Sequence, residues 1–395
     1  MRILLWANRN IVPCLKRTAG PTNGLFRSHV PAAGLTSISD PEYASRQPHR
    51  MKPYNYEKRP IFHPQIFTNK TVNRLDENSK LIIIEGNIGI DKETFAKKIA
   101  EEFGMKFIPE FKEEECLLTS RGFDRRELND RVSDKLKVWD FEMLYSTENP
   151  RDACHFLRTQ IELYIGKFER YREAVSHIWN TGQGVVMIRS VFSDLVFAKA
   201  LRRAGVLTPK GYQHYTRIYY NTQVELISPH LFLYLDAPVE YCMEQIKKRG
   251  RPWEVNSTIL TERFLQDVQN IYQADVLPQF KDLSEMKTFD MTSPLDYELI
   301  FEDLNETSLD GPKINEDNKF IEWEPPFNVD MSLIRYRYGK RFKSHWDVMF
   351  AEIGVPADID ELNYGSVDME ELEAEILQHP GYKFKDYYNP QTQTW

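Results

Sequence analysis

Residues 81–94 read LIIIEGNIGIDKET: four consecutive apolar residues, Leu81 to Ile84, run into a turn that carries Gly86, Asn87 and Gly89. Apolar residues then recur at helical spacing, at Phe95, Ile99 and Phe103. The stretch therefore predicts a buried β-strand, a loop over Gly86 to Glu93 and an amphipathic helix, the frame that a phosphate-binding loop requires. In the pattern G-x-x-x-x-G-K-[ST] the second glycine lets backbone N–H groups close around phosphates, and the final hydroxyl coordinates Mg²⁺. Those two positions are Asp91 and Glu93 in this chain, while Gly86, Asn87, Gly89 and Lys92 match the pattern. Two carboxylates then occupy a helix N-terminus whose dipole and free N–H groups favour an anion. A carboxylate beside a phosphate costs several kcal/mol in a dry site and about 1 kcal/mol across water, which weakens binding without abolishing it. Efficient Mg-ATP chemistry is not expected. A strand followed by Gly-x-x-Gly is also a common tight turn with no ligand, so the segment alone leaves both readings open.

Met105 to Pro109 predicts a second strand ending at Glu110, and Gly184 to Ile188 a third, after a long helical stretch from about Asp152 to Thr181. His230 to Asp236 predicts a fourth strand, followed by a helix from near Pro238 with Val239, Cys242, Met243 and Ile246 on one face. A helix over Thr258 to Phe280 and a fifth strand over Lys287 to Met291 complete the series. Strands alternating with helices imply an α/β fold with a five-stranded parallel sheet flanked by helices.

Four motifs in this order resemble the deoxynucleoside kinase family over about residues 80 to 305. GNIGIDKET is similar to the family's GNIGSGK[ST][ST] loop. Glu110 follows the second strand, where the family carries a catalytic Glu, though Phe111 replaces the usual Pro-Val and Pro109 precedes it. IRSVFSD, from Ile188 to Asp194, is similar to the family's E-R-S-[IV]-[FY]-S-[DA], and KKRGRPWE, from Lys247 to Glu254, to its arginine lid. The resemblance implies a vestigial nucleotide pocket built from Gly86, Asn87, Gly89, Lys92, Glu110, Arg189, Arg249 and Arg251.

Phosphoryl transfer depends on positioning and charge neutralisation, so each departure has a chemical meaning. Ile188 stands where the family's Glu helps to hold Mg²⁺, and it offers no lone pair to a hard cation. Arg189 remains able to pair a carboxylate or phosphate bidentately. The family's nucleoside-reading Gln has three candidate positions, Leu157, Arg158 and Gln160. Arg249 and Arg251 fit either a lid or a solvated helix C-terminus, and Glu110 either a ligand contact or a surface acid. Ser193 and Asp194 precede an apolar periodic run, which predicts Asp194 as a helix cap. No catalytic residue and no metal ligand is assigned.

The rest of the chain bounds its class. With 395 residues, 41% hydrophobic and 28% charged, it supports a sizeable core. A net charge of −8 with no basic stripe argues against nucleic acid as a partner, and no apolar run is long enough for a transmembrane helix. Cys14, Cys116, Cys154 and Cys242 contain no C-x-x-C pair, and His155, His177, His214 and His230 have no metal-ligand spacing. Residues 1–39 lack Asp and Glu but carry Arg2, Arg9, Lys16, Arg17 and Arg27, as in a mitochondrial transit peptide. Residues 1–40 are read as that peptide, 41–79 as an extended Pro-rich strap lying on a neighbour (Pro48, Pro53, Pro60, Pro64), 80–305 as the kinase-like domain and 306–395 as an extension for subunit contacts. The extension mixes acids with Trp323, Phe327, Tyr336, Tyr338, Trp346, Tyr364, Tyr382, Tyr387, Tyr388 and Trp395, and aromatics are favoured anchors at interfaces.

A presequence, a kinase-like core with altered Mg-ATP motifs, a strap and an aromatic extension together resemble a family of accessory subunits of mitochondrial NADH:ubiquinone oxidoreductase, respiratory complex I. That resemblance implies an assembly or stability role on the matrix side of the inner membrane, with other membrane-arm subunits of complex I as partners. It implies no required cofactor, although a bound purine nucleotide and FAD have both been attributed to that family. FAD finds no support in the residues, because the G-x-G-x-x-G fingerprint of dinucleotide folds is absent. The alternatives are an active mitochondrial deoxynucleoside kinase and a nucleotide-sensing subunit.

Overall fold

A computed structural model of the chain describes residues 34–47, 50–59, 71–118, 122–148, 155–309, 319–325, 327–354, 358–359, 361–363 and 366–379. Most of the presequence, Cys14, Cys154, Tyr364 and residues 380–395 lie outside these segments.

Five parallel strands form one sheet in the order β2-β3-β1-β4-β5, with β1 at Leu81–Gly86, β2 at Lys106–Ile108, β3 at Val185–Ile188, β4 at Leu231–Asp236 and β5 at Glu285–Asp290. The central strand β1 is buried along its whole length, which explains its unbroken run of Leu and Ile: a parallel strand covered on both faces has no solvent side to alternate toward. Ile84 pairs with Ile188 on β3 and Gly86 with Leu235 on β4, so the loop after β1 emerges between two neighbouring strand ends. That crevice at the carboxyl edge of an open α/β sheet is where such folds place ligands.

Helix α1 is Pro41–Arg46, α2 Lys92–Glu102, α3 Glu113–Leu117, α4 Phe141–Ser146 and α5 His155–Thr181. Then follow α6 at Leu195–Arg203, α7 at Pro209–Gln223, α8 at Val239–Arg249, α9 at Pro252–Val255 and α10 at Glu262–Ile271. The remainder are α11 at Leu277–Leu283, α12 at Tyr297–Glu306, α13 at Asn328–Arg337, α14 at Lys343–Ile353 and α15 at Ser366–Gln378. The single helix expected over Thr258 to Phe280 is divided. Thr261 caps α10, accepting from Phe264 N, and a π-turn over Tyr272–Val276 leads into α11, where Pro278 has no N–H to continue an α-helical ladder.

The described parts of both terminal regions pack on the chain's own body; within the strap, residues 41–46 form the helix α1, and Pro48, Pro60 and Pro64 lie outside the described residues. Asp40 caps α1, Arg46 pairs with Glu77 at 2.5 Å, and Arg50 pairs with Asp76. Tyr54 N donates to Asn180 O, and the Tyr56 hydroxyl lies 3.0 Å from His177 Nδ1. In the extension Trp323 stacks on Trp179 with 5.6 Å between centroids, and Tyr338 and Trp346 are buried in the main core. Phe327 is exposed and Tyr336 half-buried, so only part of the aromatic set faces outward.

Candidate functional site

A cleft of about 950 Å³ opens at the carboxyl edge of the sheet, a size that suits a small-molecule ligand. Gly89, Lys92, Glu110, Arg189, Arg249 and Arg251 line it, and of the eight expected pocket residues these six come together. Gly86 and Asn87 do not line the cleft. Asn87 Nδ2 donates to Leu265 O at 3.1 Å, so its side chain is turned toward α10, and Gly86 supplies a carbonyl behind the loop.

The loop keeps its glycine geometry. Gly89 has φ +95°, and a Cβ there would stand 2.6 Å from Cys242 O, so no other residue fits. Its charges are nevertheless spent within the chain. Lys92 is buried and donates from Nζ to Asn87 O at 2.8 Å and Ile90 O at 3.3 Å, turned back on its own loop. Burial, with Arg189 nearby, pushes its pKa down to about 7. Asp91 caps α2, accepting from Thr94 N at 3.1 Å, and Glu93 is exposed and pairs with Lys97 at 2.7 Å. The hydroxyl that would meet Mg²⁺ is thus replaced by a solvated carboxylate with a partner of its own. Ile188 is buried and apolar, and among the described residues no group of three His, Cys, Asp or Glu side chains could hold a metal ion. The residues present do not fit a Mg-nucleotide site.

Arg189 has φ +53°, the left-handed region that non-glycine residues rarely adopt. It is held there by an ion pair with Glu110 and by donation to Gly86 O at 3.1 Å. Burial acts to raise the Glu110 pKa, but Arg189, Lys92 and Lys167 together hold it below the ordinary value. Across the cleft, Arg249 and Arg251 both reach Glu254, at 3.2 and 3.4 Å, and Arg251 also lies 5.6 Å from the Trp253 ring centre. They form part of the wall while paired, an arrangement between the two readings that their sequence left open.

The floor holds residues that were weighed differently from sequence. Asp194 is fully buried and makes no cap bond; Ser190 caps the short turn that precedes α6 instead, accepting from Phe192 N. The Asp194 carboxylate pairs with Lys167 and accepts from Gln160 Nε2 at 2.8 Å and from the Tyr215 hydroxyl at 2.5 Å. Of the three candidate positions for a base-reading amide, Gln160 lines the cleft and Leu157 and Arg158 do not. Gln160 and Lys167 lie two turns apart on one face of α5, and that spacing was the signal available in the sequence. Below them Glu85 is fully buried, accepts from Ser190 Oγ at 3.3 Å and the Tyr272 hydroxyl at 3.1 Å, and is pushed up to about 7 by burial. Phe141, Leu144, Tyr145, Phe156, Phe197 and Trp253 supply apolar and aromatic walls.

A profile of the deoxynucleoside kinase family matches residues 82–310, more than half of the chain and all five strands but the first residue of β1. The chain belongs to the deoxynucleoside kinase family. It is 29% identical over 326 residues to NADH dehydrogenase [ubiquinone] 1 alpha subcomplex subunit 10, mitochondrial, of Bos taurus, covering 82% of this chain and 88% of the relative. It is 25% identical over 201 residues to a deoxyguanosine kinase of Bacillus subtilis, covering 49% of this chain and 81% of the relative. A solved structure of deoxyadenosine kinase from M. mycoides with bound dCTP aligns with a TM-score of 0.41 and 18% identity, over 57% of this chain and all of that one.

Proposed function

We propose that this kinase-family chain is an accessory subunit of mitochondrial NADH:ubiquinone oxidoreductase, placed on the matrix side of the membrane arm, where it supports assembly or stability without transferring phosphate. The observation that carries this reading is the extent of the likeness. Similarity to the subunit 10 proteins spans 82% of the chain, against 49% for the Bacillus kinase, and so reaches beyond the region that the kinase-family model matches. The cleft supports the non-catalytic half of the reading, since the loop lysine is turned inward, the Mg²⁺ hydroxyl is absent, and Arg189, Arg249 and Arg251 are each paired to a carboxylate of the chain. Its partners are other membrane-arm subunits of complex I. Among the described residues no helix is long and apolar enough to cross a membrane, and attachment to the inner membrane through other subunits is part of this proposal.

A second reading, in which the subunit holds a purine nucleoside or nucleotide without turnover, is favoured by the Gln160–Asp194–Lys167 floor, which is built and buried whatever the state of the loop. No further cofactor and no flavin is required. Native electrophoresis of detergent-solubilised mitochondria, with an antibody to this chain and an in-gel NADH dehydrogenase stain, tests the main reading. Co-migration with complex I, and loss of that assembly when the chain is depleted, is the expected result. A small free pool with complex I intact, together with phosphorylation of deoxynucleosides by the purified chain, would establish an active kinase instead. The second reading predicts that Lys92→Ala weakens nucleotide binding and complex stability together.

A further inference from the structure

Residues 122–148 lead into the wall of the cleft, which Phe141, Leu144 and Tyr145 line, and have little secondary structure of their own: one-turn 3₁₀ segments at Arg125–Leu128 and Asp134–Leu136, then α4. Phe123, Leu128, Val132 and Leu136 are buried in a small hydrophobic cluster separate from the main core. The other side of that cluster is closed by Leu372 and Ile376 of α15, the last described helix of the extension. Polar contacts follow the same seam. Arg131 faces Glu375 at 3.6 Å, His379 faces Glu127 at 3.8 Å and lies tilted against Phe123 with 5.2 Å between centroids, and Ser133 Oγ reaches Asp368 at 3.5 Å.

This segment is in turn joined to the cleft wall. Arg126 pairs with Asp124 and with Asp140, both at 2.8 Å, and Asp140 caps α4 by accepting from Met143 N. Helix α4 then presents Phe141, Leu144 and Tyr145 to the cleft, and Tyr145 stacks on Trp253 at 6.0 Å and 15°. A run of one-turn segments cannot hold four apolar side chains out of water by backbone cooperativity, because each short turn gains few hydrogen bonds for the residues it fixes. The cluster needs a second surface, and α15 supplies it.

We propose that α15 is an intramolecular latch: it holds the cover of residues 122–148 closed, so that access to the cleft is governed by whether the C-terminal helix is docked. An interaction that draws α15 away opens the cleft, and one that fixes it keeps the cleft shut. This does not rest on the function proposed above, since it concerns entry to the cleft whether or not anything is transferred there.

Hydrogen exchange of the full chain, followed by mass spectrometry, tests the latch by comparing wild type with the double variant Leu372→Asp, Ile376→Asp. Undocking should accelerate exchange about ten-fold or more in peptides covering both 122–136 and 141–146, with β1, β3 and β4 unchanged. If α15 exchanges freely while 122–146 keeps its wild-type protection, the cover is held without α15 and the latch is wrong. Acceleration confined to 122–136 overturns it equally, because the cleft wall would then be independent of the tail. Should the aspartates prevent folding, the pair Leu372→Ala, Ile376→Ala gives a milder undocking judged by the same two peptides.

Discussion

The two ends of the cleft are both polar, but they hold their charges in opposite ways. At the loop end Asp91 and Glu93 are exposed, and each is satisfied within one turn of helix, by Thr94 N and by Lys97. On the floor Asp194 is buried beyond the reach of water and is satisfied by three side chains drawn from two helices. An exposed, locally paired charge contributes little to stability, whereas a buried carboxylate is fixed by every partner that would be orphaned without it. The loop end can therefore vary at little cost to the fold, and the floor cannot.

That contrast can be broken first at its strong end. Asp194→Ala leaves the Lys167 ammonium buried and unpaired, and a loss of about 3–5 kcal/mol is expected in chemical denaturation; a loss under 1 kcal/mol would mean that the floor network is not structural. Glu85 comes next. Its folded pKa, about 7, lies above the ordinary carboxylate value, so the native state binds more protons than the unfolded chain between roughly pH 4.5 and 7. Stability from this group is full below that window and is lost as pH rises through it, by on the order of 3 kcal/mol. Glu85→Gln should remove this fall, seen as a flatter difference between variant and wild-type stability profiles across the window.

Smaller effects sharpen the weak end. Asp91→Ala removes a helix cap and should cost about 1 kcal/mol, while Asp91→Gly, the residue of a working loop, should cost only a few tenths. Glu93→Ser breaks one exposed i,i+4 pair and should change stability by less than about 0.5 kcal/mol in thermal unfolding. A loss above 1 kcal/mol at Glu93 would show that the loop end is as constrained as the floor.

The sheet was legible because its signals are local: Leu81 to Ile84 and Leu231 to Leu235 are apolar runs of strand length, and Gly89 marks the one tight approach of the loop to α8. The loop-end residues of the site were legible for the same reason, through motif spacing. The floor was harder to read. Asp194 stands before an apolar periodic run and so looks like a cap, and what decides otherwise is Lys167, 27 positions earlier and brought in by the packing of α5. The left-handed backbone of Arg189 leaves no mark in the sequence, because it is imposed by Glu110 and Gly86 from other elements. Composition marks the strap as an extended segment but shows neither the helix α1 that Asp40 caps within it nor the surface on which it rests.

Lys92 gives the loop a property of a different kind, a proton stoichiometry. Turned onto two carbonyls and brought down to a pKa of about 7 by burial, its amine holds its proton far less firmly than a free lysine. An anion seated on the loop would draw that pKa back toward its ordinary value, and binding near pH 7 would take up protons from the buffer. A neutral nucleoside resting on the floor alone would take up none from this group. Heats of binding measured in two buffers of different ionisation enthalpy would then tell which end of the cleft a ligand has filled.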